Sequence, residues 1–538
     1  MSLQQLFRAP LKHPADPSRG WILILTFLLF LLPGTLQRGP WKMEDATHFG
    51  VVWRALASGD WTYFHLTQAT LAEPPLYYWL ASATGTLLQP ALSPPAAIRF
   101  ATILFVALAA FSLLSAARRF YGDRIPGGAP LALIGCLGLL VASHDIQPMT
   151  ATLAALSVLL MGFSRLDTPL RGGLLIAAGV AGTLLGSGLR LAPALFLIFA
   201  ASLLSRQRGA TATTAIGLAG GSAGFAVWWM LLHAQSPDVA LQWFSHQVSL
   251  LNPNSGAARQ LWDELVALSW FAWPAWPLSF YALWARRHRL AEDAYRIPLV
   301  MAVATLLVLG TSGEIRQAWF IVLLPPLALL SVPGLEALRR GGESLLDWFG
   351  RMTFGLFLVV LLLGWSAMTF GWPAKWAAKS ARWAPGYVAQ IDAVAVLVAG
   401  SVIAAWLWIC FRSPRSPQKS LFVWSGGLAT FWVVIVMLWL PWFDHQRSFK
   451  NVAADLARHL PAHGCVIARD LGEAQFAAFD YYLQQPMFRR APSSSDCRFA
   501  LVQGNPAIEI APDGDWKRIG EASRPGDRNE RYRLYLKL

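Results

Sequence analysis

Residues 44–80, EDATHFGVVWRALASGDWTYFHLTQATLAEPPLYYWL, interrupt an otherwise hydrophobic chain, and their reading decides how it folds. They open on two acids, Glu44 and Asp45, a few residues past an apolar run at 21–36. Phe49, Val52, Trp53, Leu56 and Ala57 then recur at spacings of three and four, the pattern of an amphipathic helix lying at a membrane interface. Asp45 reads either as a site residue or as the cap of that helix, its carboxylate accepting free amide protons of the first turn. Pro74-Pro75 stiffens the backbone and stops any helix running through Glu73. Tyr77, Tyr78 and Trp79 supply an aromatic belt where the chain returns to the membrane. Glu73 is then an acid at interface depth among aromatic neighbours, with a solvated loop acid as the alternative.

The rest of the chain supports a bilayer as its solvent. Of 538 residues only 14% are charged, against about a quarter in a soluble domain, while 55% are hydrophobic. So few charges cannot coat soluble domains of this total length. The 26 Trp against 11 Tyr also suit a bilayer protein, because the indole ring favours the headgroup interface. The net charge of +14 raises the question of nucleic acid. The basic residues are scattered rather than striped along one face, no nucleic-acid motif is present, and anionic lipid accounts for the charge. No nucleic-acid partner is expected.

Working outward from 44–80, apolar runs fall at 21–36, 96–117, 129–143, 149–164, 172–187, 189–205, 211–233, 264–285, 297–312, 317–335, 352–371, 388–411 and 420–441, which predicts about thirteen spans. The first carries no small-x-small cleavage site after Pro33-Gly34 and is expected to stay as an anchor. With the N-terminus in the cytoplasm, twenty Lys and Arg fall in alternate turns on the inner side and ten on the opposite short loops, a positive-inside bias. Three polar stretches then share the outer side: a first loop at 38–95, a second at 234–263, and a tail at 443–538 with α/β texture. Within a membrane domain 1–442 and an exported domain 443–538, helices are expected at Asn451–Leu460 and Leu471–Leu483. Strands are expected at Cys465–Ala468, Arg498–Val502 and Tyr532–Leu536. Cys465 and Cys497 both begin such strands on the oxidising side, so a disulfide is expected, two separately buried thiols being the alternative. Cys136 and Cys410 read as small hydrophobes. No CxxC or His-x-x-x-His spacing demands zinc; no cofactor is called for, and a divalent metal stays compatible with the acids.

Carboxylates near hydrocarbon are expensive and need a partner or a role. His144-Asp145 interrupts the apolar runs in VASHDIQPMTATLAAL, which holds Asp145 at the outer surface as a site acid or as a helix cap before Pro148. Arg190, Glu314 and Arg316 stand at outer ends of spans, where a guanidinium suits a bidentate grip on phosphate. A Glu314–Arg316 pair satisfying itself is the structural alternative.

Together these features resemble a known family. The acidic pair, the helix ending ALASGDW and the PPLYYW re-entry are similar to the GT-C glycosyltransferases of the aminoarabinose transferase (ArnT) and protein O-mannosyltransferase type. The likeness continues in outline through His144-Asp145, GSGLRLAP, WFAWPAWPLS, EIRQAW and the exported domain. It implies an all-α polytopic GT-C-like fold with periplasmic interfacial helices and a small α/β periplasmic C-terminal domain, in a bacterial inner membrane. It also implies an inverting transfer of a sugar from a polyprenyl-phosphate donor to an envelope acceptor: a lipid of the lipid A or lipopolysaccharide type, a glycan or a protein. By position, the family's first-loop acids fall on Glu44 and Asp45 in reversed order, and its second acid falls on Asp145. These three are the expected catalytic residues. Glu73, His48, His144, Tyr77, Tyr78, Arg190 and Arg316 are the expected substrate contacts. The chain departs from the family in carrying Ala72-Glu73 before Pro-Pro and Gly186-Ser187-Gly188 near span six, each lacking a basic residue. A polysaccharide ligase or polymerase shares the donor lipid, and a lipid or sugar transporter shares the helices; the transporter predicts an internal repeat, which is not visible.

Overall fold

The computed structural model describes residues 20–36, 38–67, 74–125, 127–252, 257–312, 317–414, 416–461, 464–490, 497–507, 511–512 and 514–538. Glu73 and Arg316, with Glu314, lie outside the described residues. Among the described residues, eight helical segments are long and apolar enough to cross a membrane: Pro94–Tyr121, Pro169–Ser202, Ala210–Gln235, Asp293–Thr311, Gln317–Ala337, Arg340–Phe370, Ala393–Arg412 and Gln418–Ala457. Shorter apolar helices cover Gly20–Leu31 and Met149–Phe163. The chain is a multi-pass membrane protein.

The thirteen apolar runs fall largely on helix, but the crossings do not match them one to one. The run at 129–143 breaks into Gly128–Gly135 and Leu137–Ala142, because Cys136 between them is extended. The run at 264–285 breaks at Pro274, which offers no amide proton, between Ala257–Phe271 and Ala275–Ala285. The runs at 172–187 and 189–205 join through a 3-10 turn at Gly188–Leu191.

The C-terminal region forms one five-stranded sheet in the order β2-β1-β3-β5-β4, from β1 (Val466–Arg469), β2 (Met487–Phe488), β3 (Phe499–Gly504), β4 (Trp516–Ala522) and β5 (Arg531–Lys537). The first three pair in parallel and β5 runs antiparallel to both β3 and β4. Helix Glu473–Tyr482 makes the crossover from β1 to β2. The helices at Lys450–Ala457 and Glu473–Tyr482 and strands β1, β3 and β5 lie where periodicity and alternation predict them; β2, two residues long, and β4, irregular between Arg518 and Gly520, escape that reading. Cys465 and Cys497, each just before one of two paired parallel strands, form a disulfide with Cα atoms 5.2 Å apart.

The helix expected in the first loop runs from Met43 to Ser58. Much of its apolar face is covered by protein. Phe49 and Trp53 meet the Tyr481 ring edge-on at 4.9 and 5.2 Å, and Gly50 lets the helix approach Ala477 so closely that a Cβ would come within 2.5 Å of the alanine methyl. Arg54 grips Asp480 through two 3.1 Å hydrogen bonds and donates to the Met487 carbonyl at 2.9 Å. The first-loop helix thus packs on the Glu473–Tyr482 helix and the start of β2.

Candidate active site

Three segments meet at the start of the Met43–Ser58 helix: residues 38–45, the beginning of the Pro94–Tyr121 helix, and the turn 143–148 between apolar helices. Asp45 sits in the helix's first turn, yet the N-cap position is Lys42 and no side chain caps the helix. The Asp45 carboxylate turns away from its own helix. Oδ1 accepts from Arg99 Nε at 2.9 Å and the Ile146 amide at 2.8 Å, and Oδ2 accepts from Arg99 Nη2 at 2.6 Å. The capping alternative for Asp45 therefore fails. Arg99, itself fully buried, also donates to the carbonyls of Arg38 at 2.5 Å and Gly39 at 3.1 Å.

Arg38 continues the chain of charges. Its Nη2 stands 3.6 Å from Asp45 Oδ2 and donates to Asp145 Oδ1 at 2.5 Å and to the His144 carbonyl at 2.8 Å. Lys42 Nζ closes the chain at 3.1 and 3.3 Å from the two Asp145 oxygens. Asp145 does not cap the Met149–Phe163 helix, which has no side-chain cap. The order Arg99–Asp45–Arg38–Asp145–Lys42 alternates in sign and leaves one excess positive charge. Burial by itself raises the Asp45 pKa. The charges of Arg99 and Arg38, with hydrogen bonds from Arg99 and Ile146, outweigh burial and hold the carboxyl at about 2. Burial lowers the Lys42 pKa and Arg38 adds to that, against the attraction of Asp145.

Glu44 differs from its neighbour. It is half-buried, Oε2 accepts from Gln147 Nε2 at 2.8 Å, and Oε1 has no hydrogen-bond partner among the described residues. One turn on, His48 lies on the same side of the helix, also half-buried, with Nδ1 2.7 Å from the Tyr78 hydroxyl. Tyr77 is sealed inside; its hydroxyl meets Thr102, which donates to the Asp145 carbonyl at 2.8 Å. His144 is equally buried, its ring nitrogens 2.5 Å from the carbonyls of Leu140 and Phe30. As placed, Tyr77 and His144 are struts behind the acids rather than groups open to a substrate. Tyr78 is buried as well, and its hydroxyl meets His48. Arg190 occupies the 3-10 turn Gly188–Leu191, its guanidinium 4.1 Å over the Trp319 ring. Among the described residues no three His, Cys, Asp or Glu side chains are grouped to hold a metal ion.

Clefts open on this network from the side of the C-terminal sheet. One of about 340 Å³ touches Arg38, Asp444, Lys450, Tyr481 and Tyr482, and another of about 300 Å³ touches Trp41, Lys42, Arg447 and Arg524. The site thus includes Arg38, Lys42, Arg99 and Asp444, none of them among the residues singled out from the sequence. Arg38, Lys42 and Arg99 read there only as outer-loop bases. Their signal was present: basic residues on the less basic side of the membrane, close in sequence to acids.

No protein-family model matches the chain, and no curated protein matches it. Among solved structures, ArnT from Cupriavidus metallidurans bound to undecaprenyl phosphate is similar over 96% of this chain and 98% of that one, with a TM-score of 0.67 at 17% sequence identity. The same ArnT in its apo state gives a TM-score of 0.67 at 16% identity, with the same coverage of both chains. The fold is ArnT-like. The architecture implied by the resemblance is therefore borne out, a helical membrane bundle with a small C-terminal sheet. Because the likeness to ArnT spans almost the whole chain at low identity, it speaks to architecture and leaves the chemistry to the side chains.

Proposed function

We propose that this chain is an inverting glycosyltransferase that moves a sugar from a polyprenyl-phosphate carrier to a cell-envelope acceptor. The observation that carries the reading is the buried alternation of Arg99, Asp45, Arg38, Asp145 and Lys42 beside the more open Glu44, at the start of the first-loop helix of an ArnT-like fold. ArnT from Cupriavidus metallidurans has been solved with undecaprenyl phosphate bound, which supports a polyprenyl-phosphate donor.

In such a transfer the acceptor attacks the anomeric carbon from the face opposite the departing lipid phosphate. A hydroxyl acceptor needs a carboxylate to take its proton. Glu44 is the base in this reading, since Asp45 is locked by two arginines and an amide and has little basicity left. Asp45 and Asp145 are positioning acids that hold Arg38, Arg99 and Lys42. Lys42 stands at the open end of the charge chain, its side chain 26% exposed, and Arg190 lies in the turn between two helices. Both are assigned to the donor phosphate, where fixed positive charge stabilises the leaving oxyanion. His48 is assigned to sugar hydroxyls, with Tyr78 behind it. Glu73 keeps its expected role toward sugar or acceptor, and Arg316 its role toward the phosphate. In this reading the acceptor enters through the clefts between first loop and C-terminal domain, 443–538, and that domain and the site face the periplasm from a bacterial inner membrane.

The test is to incubate purified protein with a panel of polyprenyl-phosphate sugars and envelope acceptors and follow donor and product by mass spectrometry. Release of free polyprenyl phosphate with a glycosylated acceptor is expected. Glu44→Gln should lower kcat by about 100-fold or more with an unchanged melting temperature. A panel in which no donor is consumed, or a Glu44→Gln variant with wild-type turnover, refutes respectively the function and the base.

A further inference from the structure

Helices Pro94–Tyr121 and Met149–Phe163 both begin beside the acid–arginine network and run away from it. From Arg99 to Arg118 the first of them rises about 29 Å, close to the thickness of a hydrocarbon core. At that far end Arg118, Arg119 and Arg165 line a cavity of about 380 Å³ with Phe111, Leu114 and Ser115.

Two of these arginines pair with carboxylates, and Arg165 is held by uncharged groups alone. Arg165 donates to Ser115 Oγ at 2.6 Å, the Met161 carbonyl at 2.8 Å and Ser164 Oγ at 3.1 Å, all uncharged groups. Arg119 pairs with Asp167, and Arg118 pairs at 3.3 Å with Asp123, whose side chain is 80% exposed. Three guanidinium groups therefore face two carboxylates, Asp123 mostly in solvent and Asp167 also exposed, which leaves one positive charge over. Burial and then the like charge of Arg119 press on Arg165 and lower its pKa, with Asp167 only partly offsetting them. A second anion at this spot relieves that repulsion.

The apolar lining gives the anion its kind. Phe111 is 63% exposed, and Leu108 and Leu104 continue the same helix face at 43% and 39%. A stripe of exposed side chains thus runs from the arginine-lined cavity along the bundle surface toward mid-membrane. Inorganic phosphate uses only the arginines; a phospholipid uses both features.

We propose that this pocket binds the headgroup of an anionic phospholipid, its phosphate between Arg119 and Arg165 and an acyl chain along Phe111, Leu108 and Leu104. Guanidinium forks match phosphate oxygens in a plane, and basic pockets between helix ends are suited to such headgroups. The site is separate from the transfer chemistry and does not rest on it.

Native mass spectrometry of the purified full-length protein tests this, with phosphatidylglycerol, cardiolipin and phosphatidylethanolamine of matched chains. The wild type should retain phosphatidylglycerol or cardiolipin and not phosphatidylethanolamine. Arg119→Gln/Arg165→Gln should weaken retention by about tenfold, while Arg286→Gln/Arg287→Gln, at another basic loop, should leave it unchanged. If the first pair lowers the melting temperature, Arg118→Gln/Phe111→Ser, both at exposed side chains, should still weaken retention severalfold. Equal retention of phosphatidylethanolamine, an equal loss in the Arg286/Arg287 control, or no loss in either pocket variant overturns the proposal. Displacement of the lipid by millimolar inorganic phosphate overturns it too, because the pocket is then a free-anion site.

Discussion

Replacing Arg99 with leucine should be among the most damaging single changes near the site, for a calculable reason. Arg99 and Asp45 are both fully buried, so water does not screen their pairing. Arg99→Leu leaves the Asp45 carboxylate with the Ile146 amide and with Arg38 at 3.6 Å, and strands the carbonyls of Arg38 and Gly39. Removing one partner of a buried pair costs about 3–5 kcal/mol. Because Arg38 remains, the lower end, about 3 kcal/mol, is expected. Asp45→Leu should cost a similar amount by leaving Arg99 unpaired. In Arg99→Leu/Asp45→Leu no isolated charge remains, so the double variant should be more stable than the sum of the singles by about 2 kcal/mol or more. Reversible unfolding in mixed SDS micelles measures all four corners of the cycle. Additivity within about 0.5 kcal/mol, or a loss below about 1 kcal/mol for Arg99→Leu, refutes the account of the network as a coupled buried pair.

Acid should act through the same carboxylate. Asp45 has its pKa depressed from 3.8 to about 2, so its contribution is fully present above about pH 4 and is lost as pH falls through about 2. The shift corresponds to about 2 kcal/mol. Asp45→Asn should flatten that part of the stability–pH curve, and an unchanged acid limb refutes the assignment. In the C-terminal sheet, Cys465→Ala/Cys497→Ala removes a crosslink spanning 32 residues, with an expected cost of about 3–4 kcal/mol to that region. Protease sensitivity of residues 464–538 measures it; a variant as resistant as the wild type refutes the stabilising role.

Much of the architecture was legible because it depends on quantities that are local in sequence. Apolar run length marks the helices, and a period of three to four residues marks the Met43–Ser58 helix. Alternation marks β1, β3 and β5, while β2 is too short to alternate and a register shift between Arg518 and Gly520 breaks the alternation of β4. The count of crossings was less legible, since Cys136 and Pro274 break runs that hydropathy alone treats as continuous. Of the site, Glu44, Asp45 and Asp145 stood out as acids beside hydrocarbon; the structure links Asp45 and Asp145 through Arg38 and sets Glu44 beside them on Gln147. Tyr77 and His144 stood out equally and proved to be buried struts, because composition does not show which way a side chain points.

The sequence by itself determined a membrane protein of many helices, the stretch that forms the helix beside the site, and a small C-terminal sheet with a cysteine pair. Hydrophobic length and periodicity act between near neighbours, so they can be read from the chain directly. Only the tertiary structure decided which charges pair. Asp45 meets Arg99 across 54 residues, Arg38 meets Asp145 across 107, and Arg54 meets Asp480 across 426. Such pairings form because a charge removed from water must find a partner wherever the packed helices bring one, and sequence distance plays no part in that choice.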